Sequence, residues 1–113
     1  MSNKSALSPD NMTPEAMAMM QQNADQAAQL LKTMANPHRL LVLCTLMSGE
    51  LSVGQLNELM PLSQSALSQH LASLRDSRLV KTRRESQTIF YSLQGDEAIK
   101  VIAVLKSIYC PDL

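Results

Sequence analysis

The sequence predicts a mainly α-helical winged helix-turn-helix, about five helices plus a small β-hairpin wing, paired as a homodimer through its first and last helices. Three observations predict it. Between Ser52 and Leu74 two short helical patterns flank a proline-marked turn. From Leu79 to Leu93 the period changes from helical to alternating, around a basic and polar tip. The first and last helical segments carry more apolar positions than one small core uses. Such a fold presents one helix to a major groove and a hairpin arm to the flanking backbone or minor groove, so double-stranded DNA is the expected partner.

Thr13, Pro14 and Glu15 read as an N-cap, a first-position proline and a first-turn acid. The helix they open carries Met17, Met20, Ala24, Ala27, Leu31 and Met34 at spacings of three and four, a narrow seam of the kind one helix shows another. We read part of that seam as meeting a second subunit. Asn36 and Pro37 repeat the cap-then-proline signal and Gly49 supplies a stop, which predicts a second helix over 37–48. With Leu40, Leu41, Leu43, Cys44 and Met47 spread around its circumference, it is expected to be the central, largely buried helix.

Ser52 and Gln55 form a capping-box pattern for a short third helix through Val53, Leu56 and Leu59, ended by Pro61, with Leu62 plugging the turn. Ser63 caps the fourth helix, whose Leu67, Leu71 and Leu74 stand at i, i+4 and i+7 and define a buried stripe. Rotation by the helical angle then places Ser65, Ser68, Gln69 and Ala72 outward, with Gln64 exposed at the N-terminal end. The outward row combines small residues, hydroxyls and amides, which allow close approach, phosphate contacts and bidentate pairing with adenine. We assign Ser63, Gln64, Ser65, Ser68, Gln69 and His70 to the DNA-binding recognition helix. His70 itself falls to the side of the buried stripe and reads as a partly packed, hydrogen-bonded histidine, because no second ligand stands at a helical spacing from it.

The hairpin alternates through Leu79–Arg84, turns at Glu85 and Ser86, and alternates again from Gln87 through Ile89, Tyr91 and Leu93. Arg83, Arg84 and Gln87 near the tip are the wing's expected phosphate or minor-groove contacts, supplying affinity and register more than sequence choice. Phe90 or Tyr91 is expected to pack the hairpin onto the core. Asp96 and Glu97 open the last helix, in which Ile99, Val101, Ile102, Val104, Leu105, Ile108 and Tyr109 occupy more than one face and call for two partners.

Length and composition fit this plan. A chain of 113 residues is one domain that buries about 65% of its unfolded surface, so a small core supplemented by a dimer interface is expected. Residues 1–12, rich in Ser, Asn and Asp, read as a disordered tail before a domain over 13–113. Ten basic and ten acidic side chains give zero formal charge, which by itself counts against nucleic acid. The distribution reverses that: Arg75, Arg78, Lys81, Arg83 and Arg84 face only Asp76 between positions 75 and 84. The longest apolar run, Leu40 to Met47, is too short to span a bilayer, so no membrane role and a cytoplasmic location are expected. There the two cysteines, Cys44 and Cys110, rest as thiols, and a disulfide between them is a signal and not a staple. With no Cys-x-x-Cys, no phosphate-binding glycine loop and no paired carboxylates, neither enzyme activity nor a cofactor is expected.

From Ala27 to Cys110 the chain resembles the ArsR/SmtB family of winged-helix, homodimeric bacterial transcription regulators, through MANPHRLLVLCTL, ELSVGQL, LSQSALSQHLASLRDSRLV and the hairpin TRRESQTIFYSL. The resemblance implies a dimer built from the first and last helices, recognition helices in successive major grooves, and DNA binding relieved by a chemical signal. Arg78 departs from the pattern, since many members carry glycine there. Metal-sensing members place a cysteine pair in the segment matching ELSVGQL, where this chain has Ser52 and Gly54, or carboxylates and histidines along the last helix, where it has neither between Ala98 and Cys110. No metal ligand set is therefore assigned. Cys44 and Cys110 instead are similar in placement to the paired cysteines of the HlyU/BigR-like thiol-sensing branch, which implies reactive sulfur species or an oxidant as effector. A thiolate modified by persulfide or peroxide becomes an electrophilic sulfur that a second thiol resolves into a disulfide or polysulfide bridge. Composition alone leaves Cys44 equally open as a small buried hydrophobe. A metal-responsive repressor and a winged-helix interaction module without redox sensing remain the alternatives.

Overall fold

The computed structural model describes residues 12–111. The tail expected over residues 1–12 therefore lies outside the described residues except for Met12. Five helices and three strands follow in order: α1 (Pro14–Met34), α2 (Pro37–Leu46), β1 (Leu51–Ser52), α3 (Val53–Leu59), α4 (Gln64–Asp76), β2 (Val80–Glu85), β3 (Thr88–Leu93) and α5 (Glu97–Tyr109). This is the predicted winged helix-turn-helix. The chain divides into two compact units, one ending at Lys32 and one running from Thr33 onward.

In the first unit, Thr13 caps α1 as expected, its hydroxyl accepting from the Ala16 N–H at 3.0 Å. Met17, Met19, Met20 and Leu31 are exposed along the helix, and burial begins only at Thr33 and Met34 in its last turn.

The second unit holds the core. Asn36 caps α2, its Oδ1 accepting from the N–H groups of His38 and Arg39 at 2.9 and 3.1 Å. The buried residues of α2 are Val42, Leu43 and Leu46, whereas Leu41 is exposed and Cys44 only partly covered. The sequence RLLVLCTL is apolar almost all round, so periodicity alone does not select the stripe; packing against α4 and β3 does. The helix also stops two residues before Ser48. Met47, Ser48 and Gly49 donate to carbonyls three residues back, and this tightened turn leads into Gly49 at φ 137°.

Ser52 and Gln55 make the full capping box that opens α3. Here Leu56 and Met60 are buried while Leu59 is 60% exposed, so Met60 and not Leu62 fills the turn. Helix α4 buries Leu67, Leu71 and Leu74, as its spacing requires. It ends in a Schellman motif: Leu79 N–H reaches the Leu74 carbonyl at 2.9 Å, and Arg78 N–H reaches that of Arg75 at 3.0 Å. The motif needs a left-handed residue, and Arg78 supplies it at φ 62°. An L-residue there costs about 1–2 kcal/mol that glycine avoids. Arg78→Gly is expected to raise stability by about 1 kcal/mol, seen as a higher urea midpoint with an unchanged m-value.

The sheet order is β1-β3-β2, antiparallel throughout. Strand β1 was not foreseen: two residues, paired Leu51 with Tyr91 and Ser52 with Phe90, carry no periodic signal of their own. The hairpin turn falls at Ser86–Gln87, one residue later than expected, with Ser86 at φ 58°. Phe90 and Tyr91 are both partly buried. In α5, Ala98 and Ile102 are buried, while Ile99, Val104, Ile108 and Tyr109 remain exposed.

Candidate nucleic-acid interface

Ser63 builds the start of α4 in a way that sets its own role. Its Oγ accepts from the Ala66 N–H at 3.2 Å and lies 3.4 Å from the Ser65 hydroxyl. One lone pair serves the helix end, and between them the paired Ser63 and Ser65 hydroxyls keep one hydrogen for an outside acceptor. Opposite the leucine stripe, Gln64, Ser65, Ser68, Gln69 and Ala72 are all exposed. The helical angle thus separates an apolar inner face from a hydrogen-bonding outer one on a single rigid element.

The wing faces that row. A recess of about 510 Å³ is lined by Ser68, Ala72 and Arg75 of α4 and by Gln87, Ile89 and Tyr91 of the hairpin. A second, of about 530 Å³, is lined by Gln64 of α4, by Ser52, Gly54 and Asn57, and again by Gln87 and Ile89. Gln87 at the wing tip therefore borders both ends of the outward face of α4. Asn57 Oδ1 is buried with no hydrogen-bond partner among the described residues.

The two wing arginines differ. Arg83 is held: its Nε and Nη2 donate to Glu50 at 3.0 and 2.8 Å, its Nη1 lies 3.5 Å from Glu85, and its guanidinium stacks 4.5 Å from the centroid of Phe90. The hydrogen bond to Arg83 holds the Glu50 carboxyl below the usual carboxylate range, and the same bond raises the Arg83 pKa. Arg84, paired across the hairpin with Ile89, is exposed and makes no ion pair among the described residues. Arg84 and Gln87 are thus the freer of the three wing positions, while Arg83 braces the base of the wing. Of the basic run expected over 75–84, Arg75, Arg78 and Lys81 gather with Thr82 and Gln94 around a recess of about 400 Å³. The cluster forms because the Schellman turn, with left-handed Arg78, folds β2 back against the end of α4.

His70 leaves the outward row. It is partly buried, its Nδ1 accepts from Arg39 Nε at 3.4 Å, and its ring centroid lies 5.7 Å from that of His38. Burial, then the charge of Arg39, then that of His38 lower its pKa from the ordinary 6.5.

Cys44 on α2 is partly buried and Cys110, just past α5, is exposed; both are free thiols. Among the described residues no three His, Cys, Asp or Glu side chains gather into a set that would hold a metal ion. Nor is any described helix long and apolar enough to cross a membrane.

Comparison with known proteins agrees with this geometry. Residues 36–82, spanning α2 to the first half of β2, match the model of the bacterial regulatory protein, arsR family. The transcriptional activator HlyU of Vibrio cholerae is 50% identical over 97 residues, 86% of this chain and 90% of that protein. The structure of reduced HlyU from Vibrio cholerae superposes with a TM-score of 0.77 at 52% identity, covering 81% of this chain and 97% of that one. The transcriptional repressor BigR from Xylella fastidiosa gives 0.77 at 42% identity, covering 88% and 98%. The chain belongs to the ArsR family of bacterial DNA-binding transcription regulators.

Proposed function

We propose that this regulator is a cytoplasmic homodimer that binds a specific DNA sequence through α4 and the wing, and that modification of Cys44 and Cys110 switches its affinity. The observation that carries the DNA assignment is the exposed row Gln64, Ser65, Ser68 and Gln69 on a helix fixed from behind by three buried leucines, with Gln87 of the wing bordering both recesses beside it. Gln69 and Gln64 offer amides for base edges; Ser63, Ser65 and Ser68 offer hydroxyls; Arg84 and Gln87 reach the flanking backbone.

Dimerisation is supported by the apolar residues left uncovered on α1 and α5, among them Met17, Leu31, Val104, Ile108 and Tyr109. A second copy would cover them and set two α4 helices at the roughly 34 Å repeat of successive major grooves. Because that spacing is fixed by DNA, a small change in tilt removes much specific affinity.

The thiol reading is supported by relatives that include a reduced HlyU and BigR. The two free cysteines, Cys44 partly buried and Cys110 exposed, lie far apart in the described chain, so joining them requires a movement or a second subunit. Exposed Cys110 is the better placed to meet an effector. Its thiolate takes the outer sulfur of an organic persulfide and releases the organic thiol; Cys44 then attacks the modified cysteine and expels hydrosulfide, leaving a disulfide. That tie, within or between subunits, would join α2 to the end of α5. The relatives' names include both an activator and a repressor, and DNA occupancy that either blocks a promoter or displaces another repressor accounts for both.

The test is fluorescence anisotropy on duplex DNA from upstream of the regulator's own gene. Reduced protein is expected to bind, and persulfide- or peroxide-treated protein to lose at least about tenfold in affinity, with Cys44→Ser and Cys110→Ser both insensitive. Equal binding in the two states would return the cysteines to a packing role.

A further inference from the structure

Arg39 joins three segments of the second unit. Its Nη1 donates to the Thr33 carbonyl in the last turn of α1 at 3.1 Å, its Nη2 to the Ser73 hydroxyl of α4 at 3.2 Å, and its Nε to His70 Nδ1 of α4 at 3.4 Å. The Thr33 carbonyl is one of the last four of α1 and has no intrahelical donor, so a cation there also suits the helix dipole. A second tie runs beside it, between the hydroxyls of buried Thr33 and Ser77, 3.0 Å apart. The asparagine cap fixes where Arg39 starts, because Asn36 Oδ1 accepts the Arg39 backbone N–H.

We propose that Arg39 is the positioning residue that holds α4 against the end of α1, and that it does so only while His70 is neutral, so that acidification loosens α4 and weakens DNA binding. This rests on the reading of α4 as the recognition helix.

The chemistry of the donors decides the protonation state. Arginine keeps its proton at any relevant pH and only donates, so the His70 Nδ1 that faces it must carry a lone pair, with the ring proton on Nε2. Protonating Nδ1 replaces that acceptor by a donor and sets a second positive charge beside the guanidinium. Nothing offsets this. The ionisable groups acting on the ring are Arg39 and His38, both from α2, and both oppose its protonation. Thr33 and Ser73 meet the guanidinium with neutral oxygens. Lys81, Arg83, Arg84 and Glu85 of β2, which also packs on α4, make no hydrogen bond or ion pair with the ring, and no carboxylate among the described residues does. With its pKa lowered in the fold, His70 stabilises this arrangement fully above the unfolded value of about 6.5 and loses that contribution as pH falls through the lower folded value.

The sign of the pH effect makes the test sharp. Simple electrostatics predicts the reverse, since each protonated histidine adds positive charge and should tighten binding to a polyanion. Affinity for the upstream duplex is measured on reduced protein at pH 7.5 and 5.5 at constant ionic strength. The expected result is a rise in Kd of more than about twofold for the natural protein, up to the roughly tenfold ceiling that one fully coupled group with an unperturbed value of about 6.5 sets between these two pH values. In His70→Gln, which offers Arg39 a neutral acceptor at both pH values, the ratio should shrink below about twofold, while His38→Gln should keep it. Arg39→Lys, one point charge in place of a three-way fork, should also flatten the profile. Tighter or unchanged binding at pH 5.5, or the same fall in His70→Gln, overturns the proposal. Should the duplex not bind at either pH, the recognition-helix reading is what fails, and the Arg39 hold is judged by NMR without DNA. There the Arg39 Nε–H resonance should broaden or shift with the His70 ring titration, and a resonance indifferent to that titration overturns the hold.

Discussion

Leu74→Ala is expected to destabilise the domain by about 2–4 kcal/mol, a large part of what a chain of this size possesses. Leu74 is fully buried at the end of the α4 stripe, and its carbonyl accepts the Leu79 N–H that closes the Schellman turn. Truncation removes apolar contacts and leaves a void in the core where α4 packs on β2, whose Val80 is buried too. Collapse into that void is limited because the strand behind it is pinned by the register Val80 to Leu93. Urea unfolding followed by circular dichroism should show a lower midpoint, and DNA binding should fail at temperatures where the natural protein still binds. A midpoint shift under about 0.5 kcal/mol would mean that the stripe is not the core of this domain.

The second large effect is on recognition. Gln69→Ala should lower affinity for the specific duplex by about 10- to 100-fold, the value of one bidentate amide contact to a base edge, while leaving stability and binding to scrambled DNA nearly unchanged. Gln69 is exposed on the outer face of α4 and makes no side-chain hydrogen bond within the described chain that would have to be broken first. Arg84→Ala supplies the contrast, weakening both duplexes alike and reducing the slope of log K against log salt by about one phosphate contact. Anisotropy titrations of the two variants on both duplexes at several salt concentrations separate these outcomes. Equal losses for Gln69→Ala on both DNAs would place its amide on the backbone.

Much of this was legible in the sequence because the informative signals are local. Caps at Thr13, Asn36, Ser52 and Ser63 mark helix starts by chemistry that acts within three residues, and all four side-chain oxygens accept a backbone N–H as expected. The leucine stripe of α4 fixes its outward row with no knowledge of the rest of the chain. What was not legible depends on distant partners. The buried face of α2 is chosen by α4 and β3, since its own composition is apolar on every side. Strand β1 exists only because β3 arrives beside it. The bond from Arg39 to His70 spans 31 residues, and the brace from Arg83 to Glu50 spans 33, so neither leaves a periodic trace. Arg83 and Arg84 look equivalent as neighbours in a basic run; the pleat sends them to opposite faces, one onto Phe90 and Glu50 and the other beside Ile89.

The sheet order β1-β3-β2 leaves one flank of β2 without a neighbouring strand among the described residues. A six-residue strand with a free row of backbone donors and acceptors is a template for another chain. Here that flank carries Lys81, Arg83, Arg84 and Glu85, all exposed, and a second β2 approaching it would bring arginine against arginine before any backbone bond formed. The charge of Arg84, proposed to reach the DNA backbone, thus also protects the regulator from sticking to itself, most of all when it is off DNA. Removing both arginines to disarm the wing strips that protection as well, so particle size belongs beside affinity whenever such a variant is judged.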